Sequence, residues 1–220
     1  AGDRPVSAPV DRSTEDSLPG TENWARALKA VRETSLAFSP DFPRIAERYE
    51  AWWHHDCLDR PLLIGTANTR PERPVTRRLE LLDDPEAWLA AKIEDMAVQH
   101  RTGDALPHVR VDFGPVLLGS LVGGTREVGA NTSWTHAFID DTWSNAPAWT
   151  IRQDNGDWGI LQDLLARTAA DAVGRYLVCT PDLGGSGDVL LNLRGSENLC
   201  VDVLTHPLQV RRALDDLYPS

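Results

Sequence analysis

Cysteine is scarce in this chain, basic residues are outnumbered, and long apolar runs are missing. Cys57, Cys179 and Cys200 are the only three thiols, and no two of them form a CxxC pair. That excludes a disulfide framework and a zinc knuckle, and it favours a reducing, cytoplasmic setting. Cys179 and Cys200 sit in apolar patterns and read as core thiols. Lys and Arg total 22 against 33 Asp and Glu, a net charge of −11. A nucleic-acid surface or an anionic membrane is therefore a poor partner, because both are bound through clustered cations. No apolar run reaches the roughly 18 residues that a spanning helix needs, and the N-terminus lacks the apolar core of a secretory signal. The chain opens on Ala1, holds a single methionine, Met96, and stops directly after a helical pattern. A fragment of a longer protein is the expectation.

Residues 1–20 carry almost no large apolar side chains and are expected to form a disordered leader. Residues 21–60 read as N-terminal helices, with a start near Pro43 and with Ile45, Tyr49, Trp52 and Trp53 facing inward. Pro61 to Thr66 is a candidate buried strand followed by a polar loop containing Arg70. Asp84-Pro85-Glu86 marks a helix start, with Asp as cap, Pro in the first turn and Glu at the positive end. Pro107 to Gly114 (PHVRVDFG) then alternates like a strand. Strand, helix, strand predicts a parallel crossover unit. From Gly114 to Ile151 the rhythm is lost, in a segment rich in Gly, Thr, Asn and Trp. A helix over about 157–173 leads to a second buried strand at Tyr176 to Cys179.

Pro181, Gly184, Gly185 and Gly187 end that strand in an open loop carrying Asp182 and Asp188, with Arg194 beyond it. In parallel α/β folds such loops bind ligands. The competing assignment is that Asp182 and Asp188 only hydrogen-bond their own turn. Glu197 to Leu204 reads as helix, and Pro207 starts another.

Three stretches resemble the uroporphyrinogen decarboxylase family and its corrinoid methyltransferase relatives. They are RYEAWWHHDCLDRPLLI, DALPHVRVDFGPVLLGSLVGG and DVLLNLRGSENLCVDVLTHPLQV, and the likeness spans roughly residues 43–217. It implies an α/β fold, a partial (β/α)8 TIM-type barrel over residues 61–220. It implies a decarboxylase or methyltransferase acting on a tetrapyrrole-like or small carboxylated substrate. Asp112 then matches the carboxylate that faces pyrrole nitrogens in true decarboxylases, with Arg70, Asp182 and Arg194 as substrate contacts.

The chain departs from the family where an Arg-Gln-Ala-Gly-Arg run would hold substrate carboxylates, since GTANTRP stands there. Only Arg70 could take such a role, which points away from uroporphyrinogen itself. No cofactor is expected within the chain. His55-Asp56-Cys57 spells the His-x-Cys of the methyltransferase zinc site but lacks a third ligand nearby, so zinc would need residues beyond Ser220. Two other classes stay open. Asp140 with Asp182, among several tryptophans, would suit carbohydrate cleavage. Too few strands for a closed barrel would suit a non-catalytic module whose open edge is covered by a second copy, a homodimer.

Overall fold

The computed structural model describes residues 29–30, 32–69, 71, 79–129 and 132–217. The expected leader over 1–20 and the residue Arg70 lie outside them. Contacts divide the chain into two units, Ala1–Leu36 with Pro40–Leu62, and Ala37–Ser39 with Leu63–Ser220.

In the first unit, helix α1 (Phe42–Trp53) has Pro in its opening turn and buries Phe42 and Ile45. Arg44 and Arg48 both hold Asp59, at 3.0 and 2.9 Å, fastening the segment after the helix back onto it. Trp52 and Trp53 do not face inward as the spacing suggests. They are exposed, Trp53 by 74%, because they fall in the last turn beyond the buried stripe.

The second unit mixes helices with short strands. Strand β1 (Ile64–Asn68) is followed by α2 (Pro85–Val98), where Asp84 accepts a hydrogen bond from Ala87 N at 3.0 Å. The helix hands the chain directly to β2 (Gln99–Gly103), which pairs with β1 in antiparallel register, Ile64 opposite Gly103. The predicted parallel crossover between the first strand and PHVRVDFG is therefore corrected. Asp104, fully buried, explains the pairing: its carboxylate accepts Leu63 N at 2.9 Å and ties the start of β1 to the end of β2. Nor is β1 a core strand, since Ile64 is 64% exposed.

A parallel pair does exist, between other segments. Strand β3 (His108–Arg110) pairs with β6 (Leu177–Cys179), His108 opposite Leu177 and Arg110 opposite Cys179. Between them lie α3 (Leu117–Leu121), a hairpin of β4 (Arg126–Val128) and β5 (Ser133–Thr135), and α4 (Gly156–Ala172). The long irregular segment thus contains one short helix and one hairpin, and α4 delivers the chain to β6 as its apolar period predicts. After β6 come α5 (Ser186–Arg194), α6 (Ser196–Thr205) and α7 (Pro207–Leu217). Gly195, at φ 86°, makes the break between α5 and α6, a backbone angle that favours glycine.

Burial alternates along 109–113. Val109, Val111 and Phe113 are buried while Arg110 and Asp112 are exposed. The buried set joins Trp88 and Met96 of α2, Leu161 and Leu164 of α4, and Tyr176 in one cluster. A second cluster joins Leu118 and Val122 to Ile139, Trp143, Val189, Leu190, Leu193 and Val210. Two helices therefore cover one face of the β3–β6 pair, and the polar alternates occupy the other. Cys200 is exposed rather than a core thiol, on a surface of α6 and α7 that also shows Val201, Leu204 and Leu208. Among the described residues the sheets are three two-stranded ladders.

Candidate functional site

Because β3 and β6 run parallel, the loops that follow them leave the same end of the pair. Asp112 follows β3 and Asp182 follows β6, so two of the acids singled out by sequence stand on one rim. Both are exposed, and each accepts a hydrogen bond from the second backbone N–H ahead of it: Gly114 N to Asp112 at 2.8 Å, Gly184 N to Asp182 at 2.9 Å. Each Asp does form its own turn, as the plainer assignment holds. One such bond leaves most of a carboxylate's acceptor sites open on the rim. Asp188 accepts Gly185 N at 3.1 Å and closes the first turn of α5.

The loop after β3 is held from two sides. Ser133 of β5, fully buried, donates to Phe113 O at 2.5 Å, and Asn192 of α5 donates to Pro115 O at 3.3 Å. The hairpin is itself anchored: Arg126 pairs with Asp157 at 2.7 Å and lies 5.2 Å from the centre of the Phe113 ring. Gly114 has φ 77°, and a Cβ there would lie 2.3 Å from Ser133 Oγ. Gly114→Ala is expected to cost about 1–3 kcal/mol, read as a lower urea midpoint with an unchanged slope. An effect below about 0.3 kcal/mol, within ordinary surface noise, would mean that this loop is not fixed as described.

Arg194 is placed elsewhere. It is 4% exposed, and its guanidinium bonds Asp202 Oδ2 at 2.6 Å, Asp141 Oδ1 at 3.0 Å and Ile139 O at 3.0 Å. Asp202 also accepts from Trp143 Nε1 at 3.0 Å and lies 3.1 Å from His206 Nδ1. The hydrogen bond that Arg194 donates to Asp202 holds the Arg194 pKa above its ordinary value and the Asp202 carboxyl below its own, against the opposing pull of burial. The expected substrate contact is thus an interior ion pair. Its donors are spent within the fold because α6 turns Asp202 back onto the last residue of α5.

Asp140 likewise serves its own turn. It accepts from the Thr142 and Ser144 hydroxyls, both at 2.8 Å, and from both backbone N–H groups. Those bonds, the Ser144 hydroxyl foremost, lower its pKa. A carboxylate so engaged is poorly disposed to act as the acid of a glycosidase pair. Trp143 is buried, while Trp149 and Trp158 pack against the two clusters. Trp134, 59% exposed, is the one of these four on the surface.

A groove of about 710 Å³ runs between α2 and α4, lined by Leu89, Ile93, Ala97, Ala170 and Arg167. It holds none of the rim acids. No cluster of three metal-ligating side chains occurs among the described residues, and none of the described helices is long and apolar enough to cross a membrane. Sequence reasoning passed over Arg110, although the alternation in PHVRVDFG already set it on the same face as Asp112. Comparison with protein-family models, characterised proteins and solved structures gives no match for this chain.

Proposed function

We propose that the chain is part of a (β/α)8 barrel enzyme of the uroporphyrinogen decarboxylase type, acting as a decarboxylase or methyltransferase on a tetrapyrrole-like or small carboxylated substrate. The observation that carries the reading is the parallel register of β3 and β6, with Asp112 and Asp182 in the loops at one end. Enzymes built on parallel strands place their chemistry at that end. In a decarboxylation, Asp112 stabilises the cation formed when the substrate ring is protonated. The bond to the carboxylate carbon then breaks, its electron pair neutralises the ring, carbon dioxide leaves, and a proton takes its place. Zinc enters only if a methyl-transfer site lies in residues beyond Ser220. Three unpaired cysteines support a reducing cytoplasmic location. The test is release of carbon dioxide from a panel of carboxylated pyrroles, with Asp112→Asn as the control. No release from any of them, and no methyl transfer to a thiol acceptor, ends the proposal.

A second reading, a binding module completed by another copy, has its own support. With each ladder two strands wide, β3 and β6 each present an unpaired edge among the described residues, and Leu204 is 84% exposed on α6. Native mass spectrometry at micromolar concentration is expected to give a discrete dimer under this reading. A monomer at every concentration removes it.

A further inference from the structure

We propose that the groove between α2 and α4 docks a basic amphipathic helix of a partner protein. This surface holds none of the rim acids, and its role does not depend on their chemistry. One wall is α2, whose 14 residues extend about 21 Å. Leu89 and Ile93 form the floor, half-buried because their inner atoms pack on the central cluster. Ala90, Ala97 and Ala170 lie exposed along it. Such small side chains leave the trough open along its length instead of closing it over a compact ligand. An apolar helical stripe fits a trough of that form, the mode by which grooves between helices take up amphipathic segments.

Charge selects the helix. The two arginines on the α4 side are each engaged by a carboxylate of α4. Arg167 Nε bonds both Asp163 oxygens, at 2.9 and 2.8 Å, and Arg175 pairs with Asp171. Neither carries an uncompensated charge that would attract an anionic partner. Glu86, exposed on the α2 side, has no hydrogen bond or ion pair with any described residue, so the groove keeps a negative charge. The chain as a whole carries −11, a field of the same sign. Leucine or isoleucine at i, i+3, i+4 and i+7 of the docked helix covers Leu89, Ile93 and the alanines, and its flanking Lys or Arg meets Glu86. The like charge of a second copy of this chain opposes its entry.

The experiment titrates the full chain into a fluorescein-labelled peptide of leucine and lysine, about 14 residues long with its leucines on one helical face, and follows anisotropy. Saturable binding is expected, weakened about tenfold or more by Ala97→Lys with Ala170→Lys, the scale of spoiling the centre of an interface. Glu86→Gln should weaken it about threefold, as for one exposed charge pair. Leu204→Lys with Leu208→Lys adds the same charge on α6 and α7, where both leucines are exposed, and should leave binding unchanged. A peptide of equal composition with its leucines scattered around the helix should bind about tenfold more weakly, as should one with glutamate in place of lysine. Circular dichroism checks that the exposed alanine exchanges leave the helices intact, since lysine is nearly as good a helix former as alanine. No saturable binding to the wild-type chain, equal binding by the paired alanine variant, equal binding of either control peptide, or an equal loss in the paired leucine variant would overturn the assignment. Amides of α2 and α4 whose NMR shifts move on raising the chain's own concentration, with no peptide present, would give the face to a second copy and overturn it too.

Discussion

Replacing Asp202 with alanine is expected to lower the unfolding free energy by about 3–5 kcal/mol, the cost of leaving one member of a buried ion pair without its partner. Against a typical total of about 5–15 kcal/mol, that is the largest stability effect of any single exchange proposed for this chain. Asp202 is nearly inaccessible and receives Arg194 at 2.6 Å and Trp143 at 3.0 Å. Its loss leaves the Arg194 Nε and the Trp143 indole N–H without acceptors in an apolar cluster. Asp141 does not compensate, because it reaches Arg194 from a 90% exposed position. Urea unfolding measures the effect. Removing both charges, as Arg194→Met with Asp202→Leu, should cost less than the Asp202→Ala change alone, since no charge is then stranded. A loss under about 1 kcal/mol for Asp202→Ala, the range of an exposed pair, would show that the pair is not buried in solution.

The same pair fixes a pH dependence. The carboxyl of Asp202 titrates below its ordinary value when folded, chiefly through its bond to Arg194. A depressed carboxylate pKa contributes stability that is fully present above the unfolded value, about 3.9. That contribution fades as pH falls through the lower folded value. The stability gap between wild type and Asp202→Asn should therefore be constant near neutrality and narrow only below about pH 4. A gap that closes between pH 5 and 8 would point to a different titrating group.

Asp112→Asn is expected to reduce turnover of a responsive substrate by about 100-fold or more, the scale of losing one preorganised electrostatic group in an active site. Stability should barely move. Asp112 is exposed and its one backbone bond, to Gly114 N at 2.8 Å, can be accepted equally by an asparagine oxygen. This contrast separates a reacting group from a turn former. A turn-forming Asp replaced by Asn leaves activity untouched, whereas a carboxylate that stabilises a developing cation does not survive the loss of charge. Steady-state rates and urea unfolding on the same preparation decide it. Unchanged turnover would remove Asp112 from the chemistry and leave it as a loop residue.

Local signals were legible where one segment contains both the cause and the effect. The Asp84-Pro85 start of α2, the Pro207 start of α7 and the alternation of Val109, Val111 and Phe113 against Arg110 and Asp112 all follow from caps and periodicity within a few residues. The loop after Cys179 is legible in Pro181, Gly184 and Gly185, but it is shorter than expected, because Gly187 and Asp188 lie in the first turn of α5. Partners distant in sequence were not legible. Periodicity says that Pro61 to Thr66 is extended, yet nothing in it moves the strand on to Ile64–Asn68 or selects β2 as its antiparallel neighbour; the buried carboxylate of Asp104 ties the two together. A lone arginine in a loop pattern looks the same whether a substrate or Asp202 will neutralise it.

By itself, then, the order of residues determined the longer helices, the extended segments before Asp112 and Asp182 and the acidic composition, but not β2, α3 or the β4–β5 hairpin. Tertiary structure alone decided which strands pair, that Asp112 and Asp182 share a rim and that Arg194 is consumed inside the fold. The physical reason is range. Capping and alternation act over one or two turns, whereas strand pairing and charge neutralisation join groups whose separation along the chain carries no signal until the backbone has brought them together.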